Sequence, residues 1–237
     1  MSYSRGRPVT NINHGSFYVP PSSYDYLLAN LLPAAWWRLS DPVGSLTVTD
    51  SSGNGYAGTV NGDVIFGEPG PVANGTAALF DGSTGYVETS TSVPMDLLTG
   101  SVSFVAWVKL AASPTTQGLI CGIFPNVALS IQSDDYAMMW LGSYANTVEP
   151  VSLGVWYQIV AVYQGNGSST RSLYLDGSFV GEDTSGSAAD ESGLVSVGAQ
   201  ASWGSYSTYF PGDVAEVAIF TRALTAAEIA ALWQAAQ

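Results

Sequence analysis

Few residues in this chain have the types and spacing to do chemistry. Adjacent carboxylates occur at Asp134-Asp135, Glu182-Asp183 and Asp190-Glu191. Acid–base hydrolysis would need two such groups at a set separation across a bound sugar. Each pair lies in a turn-like stretch, where a solvated acid is the ordinary outcome. Nucleophilic catalysis needs a base oriented on a rigid frame. The single histidine, His14, is in an irregular N-terminal stretch, and the single cysteine, Cys121, lies in the apolar run Leu119-Ile120-Cys121-Gly122-Ile123. Cys121 therefore reads as a small buried hydrophobe.

Aromatic side chains offer a different chemistry, because sugar rings stack on their faces while neighbouring amides and hydroxyls bind the sugar's own hydroxyls. The run Trp203-Gly204-Ser205-Tyr206-Ser207-Thr208-Tyr209-Phe210 has this character, and Tyr136, Trp140 and Tyr144 form a second group. Core packing is the competing use of such residues and is the reading for Trp36, Trp107 and Trp156. For Trp203 and Tyr206 both uses stay open, since loops carry function disproportionately.

The elements that must position these residues are strands. Ser101 to Lys109 alternates small or polar residues with Val102, Phe104, Ala106 and Val108, which predicts a strand with one buried face. Val155–Tyr163 and Ser172–Leu175 continue the pattern. Asp176-Gly177 predicts a tight hairpin between Tyr174-Leu175 and Phe179-Val180, and Asn61-Gly62, Asn74-Gly75 and Asp81-Gly82 mark further turns. Turn signals every 8 to 12 residues or so predict a two-sheet antiparallel sandwich. Two helices flank it. Ser22 and Ser23 are placed to cap one over Tyr24–Leu31, ending before Pro33. Thr225-Ala226-Ala227-Glu228 is a capping box ahead of Ile229, Leu232 and Trp233 at helical spacing.

Composition narrows the partners. Only 11% of the 237 residues are charged, so Ser, Thr, Asn and Gly must dress much of the surface. The net charge of -13 is uneven: residues 1–24 hold Arg5 and Arg7 and no acid, while the remainder carries all 19 acids against Arg38, Lys109, Arg171 and Arg222. So acidic a body repels phosphate backbones, which excludes nucleic acid as a partner. A lone cysteine excludes an internal disulfide. No apolar run approaches the roughly 18 residues of a membrane span, and the N-terminal stretch lacks a signal-peptide pattern. Residues 1–21 read as an extended arm whose Tyr3, Phe17, Tyr18 and Val19 are anchors for packing on a neighbour.

Two blocks bracket the sandwich: Trp36-Trp37-Arg38-Leu39 with Asp50-Ser51-Ser52-Gly53-Asn54-Gly55, and Gly212 to Phe220 with Leu224 to Glu228. Between them lie Gly67-Glu68-Pro69-Gly70, Ala78-Leu79-Phe80-Asp81-Gly82, Gly85-Tyr86-Val87, Trp156-Tyr157 and Leu173-Tyr174-Leu175-Asp176-Gly177. In this order the residues resemble the laminin G-like branch of the concanavalin A-like lectin/glucanase superfamily, over essentially all of 24–237. The resemblance implies an all-β jelly roll of two curved antiparallel sheets with a short C-terminal helix, divided as an N-terminal arm at 1–33 and a sandwich at 34–237. It also implies calcium, with ligands from Asp50, the Gly53 carbonyl and Glu216. Where the family has an acidic pair in the closing strand, this chain reads Ala215-Glu216. The Glu-x-Asp-x-x-Glu run of the superfamily's glucanases is missing.

The expected function is that of a non-enzymatic structural or adhesion protein. The short Leu-rich segment before Trp37-Arg38-Leu39 is similar to those of bacteriophage minor tail and other virion proteins. That implies a chain made in a host cytoplasm and assembled into a virion as a homo-oligomer. Its arm, through Arg5, Arg7, Phe17 and Tyr18, would contact other virion proteins. The alternative is a carbohydrate-binding module that recognises cell-surface glycans through Trp203, Tyr206, Tyr209, Trp140 and Tyr144. A glycoside hydrolase is the third expectation, weakened by the missing run.

Overall fold

The computed structural model describes residues 23–237 except 96, 98–99, 124–126, 142–143, 147–149, 166–169, 185–190 and 203–204, and gives backbone only for 144–146, 191–192, 201–202 and 205–207. Two antiparallel sheets of eight strands face each other. The first runs from edge to edge through Ser178–Asp183, Arg171–Leu175, Trp156–Tyr163, Val102–Leu110, Pro211–Phe220, Thr76–Asp81 and Val64–Pro69, with Ala35–Trp37 also on Pro211–Phe220. The second runs through Tyr144–Asn146, Ala137–Trp140, Val127–Gln132, Gln117–Ile123, Ser196–Val197, Tyr86–Thr89, Gly58–Asn61 and Thr47–Val48. Short ribbons pair Glu191–Gly193 with Val93–Met95 and Gln200–Ser202 with Ser205–Ser207. The sandwich expected from the turn spacing is present.

Its inner core joins Phe104, Ala106, Val108, Ile159, Val214 and Ile219 of the first sheet to Ile120, Cys121, Leu129, Ile131 and Met139 of the second. The strand expected to bury one face buries both. Val105 and Trp107 point away from that core into a second cluster beneath the helices α1 (Ser23–Asn30) and α2 (Ala226–Ala235), with Tyr24, Leu28, Ile229 and Leu232. Trp107 stacks on Trp233 with ring centroids 5.3 Å apart, and Tyr24 meets it edge-on at 6.3 Å. Ser23, expected as a cap, instead donates its hydroxyl to the Ala235 carbonyl and ties α1 to α2. Thr225 and Glu228 form the expected capping box. At the Asp176-Gly177 hairpin both residues take positive φ, 50° and 76°. A Cβ at Gly177 would also lie 2.8 Å from Trp233, so glycine serves the turn and the docking of α2 together.

One residue organises the closing strand. Between Ala215 and Ala218 the register slips, and Glu216 takes a left-handed backbone (φ 52°). This β-bulge puts Ala215 and Glu216 on the same helix-covered face. Before it the strand pairs with Thr76–Asp81, and after it with Ala35–Trp37. The Glu216 N–H donates to the Arg38 carbonyl at the switch. Its carboxylate accepts Trp36 Nε1 at 2.7 Å and Arg38 Nε at 3.3 Å, and Arg38 reaches onward to both oxygens of Asp25 in α1 at 2.8 Å. Burial pushes the Glu216 carboxyl up to about 7 despite Arg38 and Trp36 drawing it down.

An acid that holds its proton more tightly folded than unfolded adds stability below its unfolded pKa and loses it as pH rises through the folded value. The only histidine is His14, so Glu216 dominates the window between about pH 5 and pH 8. The melting temperature is expected to fall by several degrees across that window, at roughly 2–4 °C per kcal/mol for a chain this size. In Glu216→Gln, which keeps an acceptor for Trp36, the fall should largely vanish. An identical decline in both proteins, followed by differential scanning calorimetry, would show that Glu216 does not titrate there.

Candidate functional site

The residues expected to hold calcium are set among hydrogen-bond donors. Asp50 accepts backbone N–H groups from Trp36 (3.0 Å), Ser52 (2.9 Å) and Tyr56 (2.9 Å). Burial pushes its carboxyl up, but the donors of Ser52, Tyr56 and Trp36 outweigh it and hold the group below the usual carboxylate range. Gly53, at φ 82°, forms the turn beyond it. Glu216 faces the Trp36 indole and the Arg38 guanidinium. A hard cation wants oxygens turned toward it with no positive charge beside them. As placed, Asp50 shapes a turn by accepting three backbone N–H groups, and Glu216 shapes a bulge with the Arg38 guanidinium beside it. This donor set does not fit calcium. Among the described residues, no group of three or more His, Cys, Asp or Glu converges as a metal site. A shallow hollow of about 390 Å³ adjoins the turn, lined by Leu32, Pro33, Trp36, Ser52 and Asn54.

Of the aromatic candidates, Trp140 and Tyr144 belong to the second sheet. Val127, Leu129 and Ile131 point into the inner core, so Ala128, Ser130 and Gln132 lie on the sheet's other face. Trp140 stands opposite Ala128 on that face and is half-buried. Tyr144 is opposite Trp140 in backbone register, but its side chain, like that of Tyr206, lies outside the described residues. Trp203 lies outside them altogether, as do Arg5, Arg7, Phe17 and Tyr18 of the arm. Tyr209 is half-buried beside Thr208. Trp36 and Trp107 are core residues, and Trp156 packs against the helix-side cluster with Lys109 Nζ 5.2 Å from its ring.

Around Tyr209 the structure shows a feature the sequence did not announce. The middle of the outer face is closed, with Ala128, Ser130, Leu119 and Met138 buried. It opens at the end where Gln117 and Gln132 sit directly opposite each other. Two adjoining hollows lie there. One, about 360 Å³, runs between Asp81, the 112–117 loop, Thr208 and Tyr209. The other, about 400 Å³, is lined by Thr116, Gln117, Gln132, Ser133, Asp134 and Thr208. Sharing Thr116, Gln117 and Thr208, they form one open cleft of amides and hydroxyls with an aromatic wall.

The cleft walls are held from behind. Ser133 N–H donates to the Thr116 carbonyl at 2.9 Å, and Ser113 Oγ donates to Asp135 Oδ2 at 2.9 Å. Gln117 Nε2 donates to Ser130 Oγ at 2.8 Å, and Leu119 N–H to the Thr208 carbonyl at 2.9 Å. Thr208 is β-branched yet sits at φ 52°, a conformation costing of order 1–3 kcal/mol that the neighbouring bonds must impose. Asp81 accepts backbone N–H groups of Ser83, Thr84 and Gly85. Burial pushes its carboxyl up, but these donors and the Ser83 hydroxyl hold it far below the usual range. Trp140 stands four residues along the sheet from Gln132, roughly 13 Å at the rise of a strand, so it does not share the cleft with Tyr209. Gln117 and Gln132 were missed because nothing in their local sequence marks them; only the antiparallel register joins them.

The remaining chemical candidates have structural work. Glu182 and Asp183 are in a strand and not a turn, because Asp183 pairs at 3.1 Å with Arg171, whose side chain is fully buried. Asp134 is exposed in a turn, as expected; Asp190 lies outside the described residues. Cys121 is buried, and burial pushes its thiol well up.

Residues 81–230 match the family Laminin_G_3, described as the concanavalin A-like lectin/glucanases superfamily. No curated protein matches the sequence. Among solved structures, domain 4 of AbnA, a GH43 extracellular arabinanase from Geobacillus stearothermophilus solved with arabinotriose, superposes with a TM-score of 0.62 at 18% identity, covering 86% of this chain and 98% of that domain. The botulinum neurotoxin serotype G binding domain gives 0.63 at 16% identity, with 85% of this chain and 50% of that one covered. The binding domain of Paraclostridial Mosquitocidal Protein 1 gives 0.67 at 11%, with 86% and 52% covered. The chain thus spans about half the length of these toxin binding domains. At such identities the likeness is one of fold. On the family match across residues 81–230, the chain belongs to the Laminin_G_3 family of the concanavalin A-like lectin/glucanases superfamily.

Proposed function

We propose that this protein is a non-enzymatic carbohydrate-binding domain that holds a glycan in the cleft between the 112–117 loop, the Gln117–Gln132 pair and Thr208-Tyr209. The observation that carries this reading is the lining itself. Amides and hydroxyls on strands and short braced loops can exchange hydrogen bonds with sugar hydroxyls, and Tyr209 offers a ring to stack on. The run Trp203 to Tyr206 leads in sequence straight into Thr208, so its aromatics are candidates to extend the wall, with Trp140 and Tyr144 further along the same sheet. The neighbour solved with arabinotriose and the toxin binding domains support a fold used for recognition.

A hydrolase would need a carboxyl poised to donate a proton in the cleft. Asp81 is held ionised by its donors, whereas the carboxyls shifted upward, Glu216 and Asp176, lie against the other sheet under or beside the helices. Binding without turnover is the better match to these acids. The double variant Gln117→Ala, Gln132→Ala is expected to weaken binding to glycans selected on an array about tenfold, as the loss of one or two hydrogen bonds implies, and to lower the melting temperature by only a few degrees as buried Ser130 loses its Gln117 donor. Unchanged affinity by titration calorimetry would remove the cleft from the proposal.

A second reading is display on a phage particle through the N-terminal arm. It rests on the charge split, since Arg5 and Arg7 stand without an acid before residue 25 while the body is strongly acidic. Within the segment 1–33, α1 is already packed on the sandwich through Tyr24 and Leu28, so attachment would fall to residues 1–22. Deleting residues 1–21 should abolish incorporation into particles and leave glycan binding intact. Particles that retain the shortened chain at full occupancy would end this reading.

A further inference from the structure

The four cations among the described residues are all committed to partners. Arg38 is paired with Asp25 and Glu216, Lys109 with Asp213 at 2.7 Å, Arg171 with Asp183 at 3.1 Å and Arg222 with Glu228 at 2.9 Å. None of them lines the cleft, whose ionisable groups are Asp81 and Asp134, with Asp135 just behind. Asp81 is held ionised by its donors at any ordinary pH. Whatever enters the cleft therefore meets amides, hydroxyls, one phenol ring and negative charge.

We infer that the cleft is selective for uncharged saccharides and rejects anionic ones. This rests on the carbohydrate-binding reading and narrows it. A uronate, sialate, sulfate or phosphate group brought into the cleft would shed part of its hydration without gaining a counter-ion. It would also approach two carboxylates in a hollow where screening is weaker than in bulk water. Neutral sugars carry no such cost. Their hydroxyls both donate and accept, which suits Gln117, Gln132, Ser133, Thr116 and Thr208, while Asp134 can accept from a sugar hydroxyl without displacing a bond described for it. The rejection is built from charge rather than shape, so it acts even on anionic sugars of the right size.

The test uses the full chain, with chelator present so that no divalent ion can bridge an acid to the cleft. Matched pairs serve as probes: neutral oligosaccharides such as arabinotriose and lactose, and anionic counterparts such as oligogalacturonates and sialyllactose. Among those that bind, the neutral member is expected to exceed its anionic partner by about tenfold or more, and its affinity to change less than about twofold from low to high salt. In Asp134→Lys, the ratio of neutral to anionic affinity should fall severalfold at low salt and less at high salt. Anionic members binding as well as or better than neutral ones would overturn the inference. If that binding were still lost in the Gln117→Ala, Gln132→Ala variant, the cleft would stand as a glycan site of different specificity. Failure of every saccharide to bind would overturn the carbohydrate reading and this inference with it.

Discussion

The bulge at Glu216 is the constraint on which the rest of the molecule turns. At this residue the register of the ten-residue closing strand slips against Val102–Leu110, and on the strand's other edge the partner changes from Thr76–Asp81 to Ala35–Trp37. Left-handed backbone at a glutamate is uncommon and costs energy, so it persists only where the surroundings over-determine it. Here they do. The N–H of Glu216 is taken by the Arg38 carbonyl, and its carboxylate by Trp36 and Arg38, while Arg38 in turn holds Asp25. One side chain thereby joins the first strand of the sandwich, its last strand and the helix that precedes both. A buried charge network of this kind is weak evidence for stability, but it specifies register well.

That arrangement decides where a ligand can be met. The knot draws α1 onto the first sheet, and α2 completes the cover by stacking Trp233 on Trp107. The outer face of the first sheet is thus spent on packing. The second sheet keeps an uncovered end, where the turn at Asp134-Asp135, the 112–117 loop and Thr208-Tyr209 come together. Cross-strand bonds and loop-to-loop bonds hold these walls, as suits a site that must be rigid before its ligand arrives. The charge follows the same division, because every described cation serves an internal pair and the cleft is left with acids and neutral polar groups.

How much of this could be read from the sequence depends on whether the signal was local. The Asp176-Gly177 hairpin and the Thr225–Glu228 capping box were legible because two or four adjacent residues determine them. The strand Val102–Leu110 was legible as a strand, yet its second buried face was not, since that depends on helices docking from both chain ends. Ala215 was noticed as a departure from the family's acidic pair, and the remaining acid, Glu216, was assigned to a metal. Its true partners, Trp36 and Arg38, lie about 180 residues away in sequence. The cleft was the least legible feature. Tyr209 was singled out by its aromatic run, but Gln117, Gln132, Ser133 and Thr208 are ordinary polar residues until strand register sets them side by side.

Titrating isotope-labelled protein with a neutral oligosaccharide that binds it, and following the backbone amides by NMR, locates the bound sugar on the sandwich. The largest shifts should fall on Thr116, Gln117, Gln132, Ser133, Thr208 and Tyr209, with the amides around Trp36, Asp50 and Glu216 unmoved. Shifts concentrated instead at the hollow beside Trp36 and Ser52, with the cleft silent, would contradict glycan binding in the cleft.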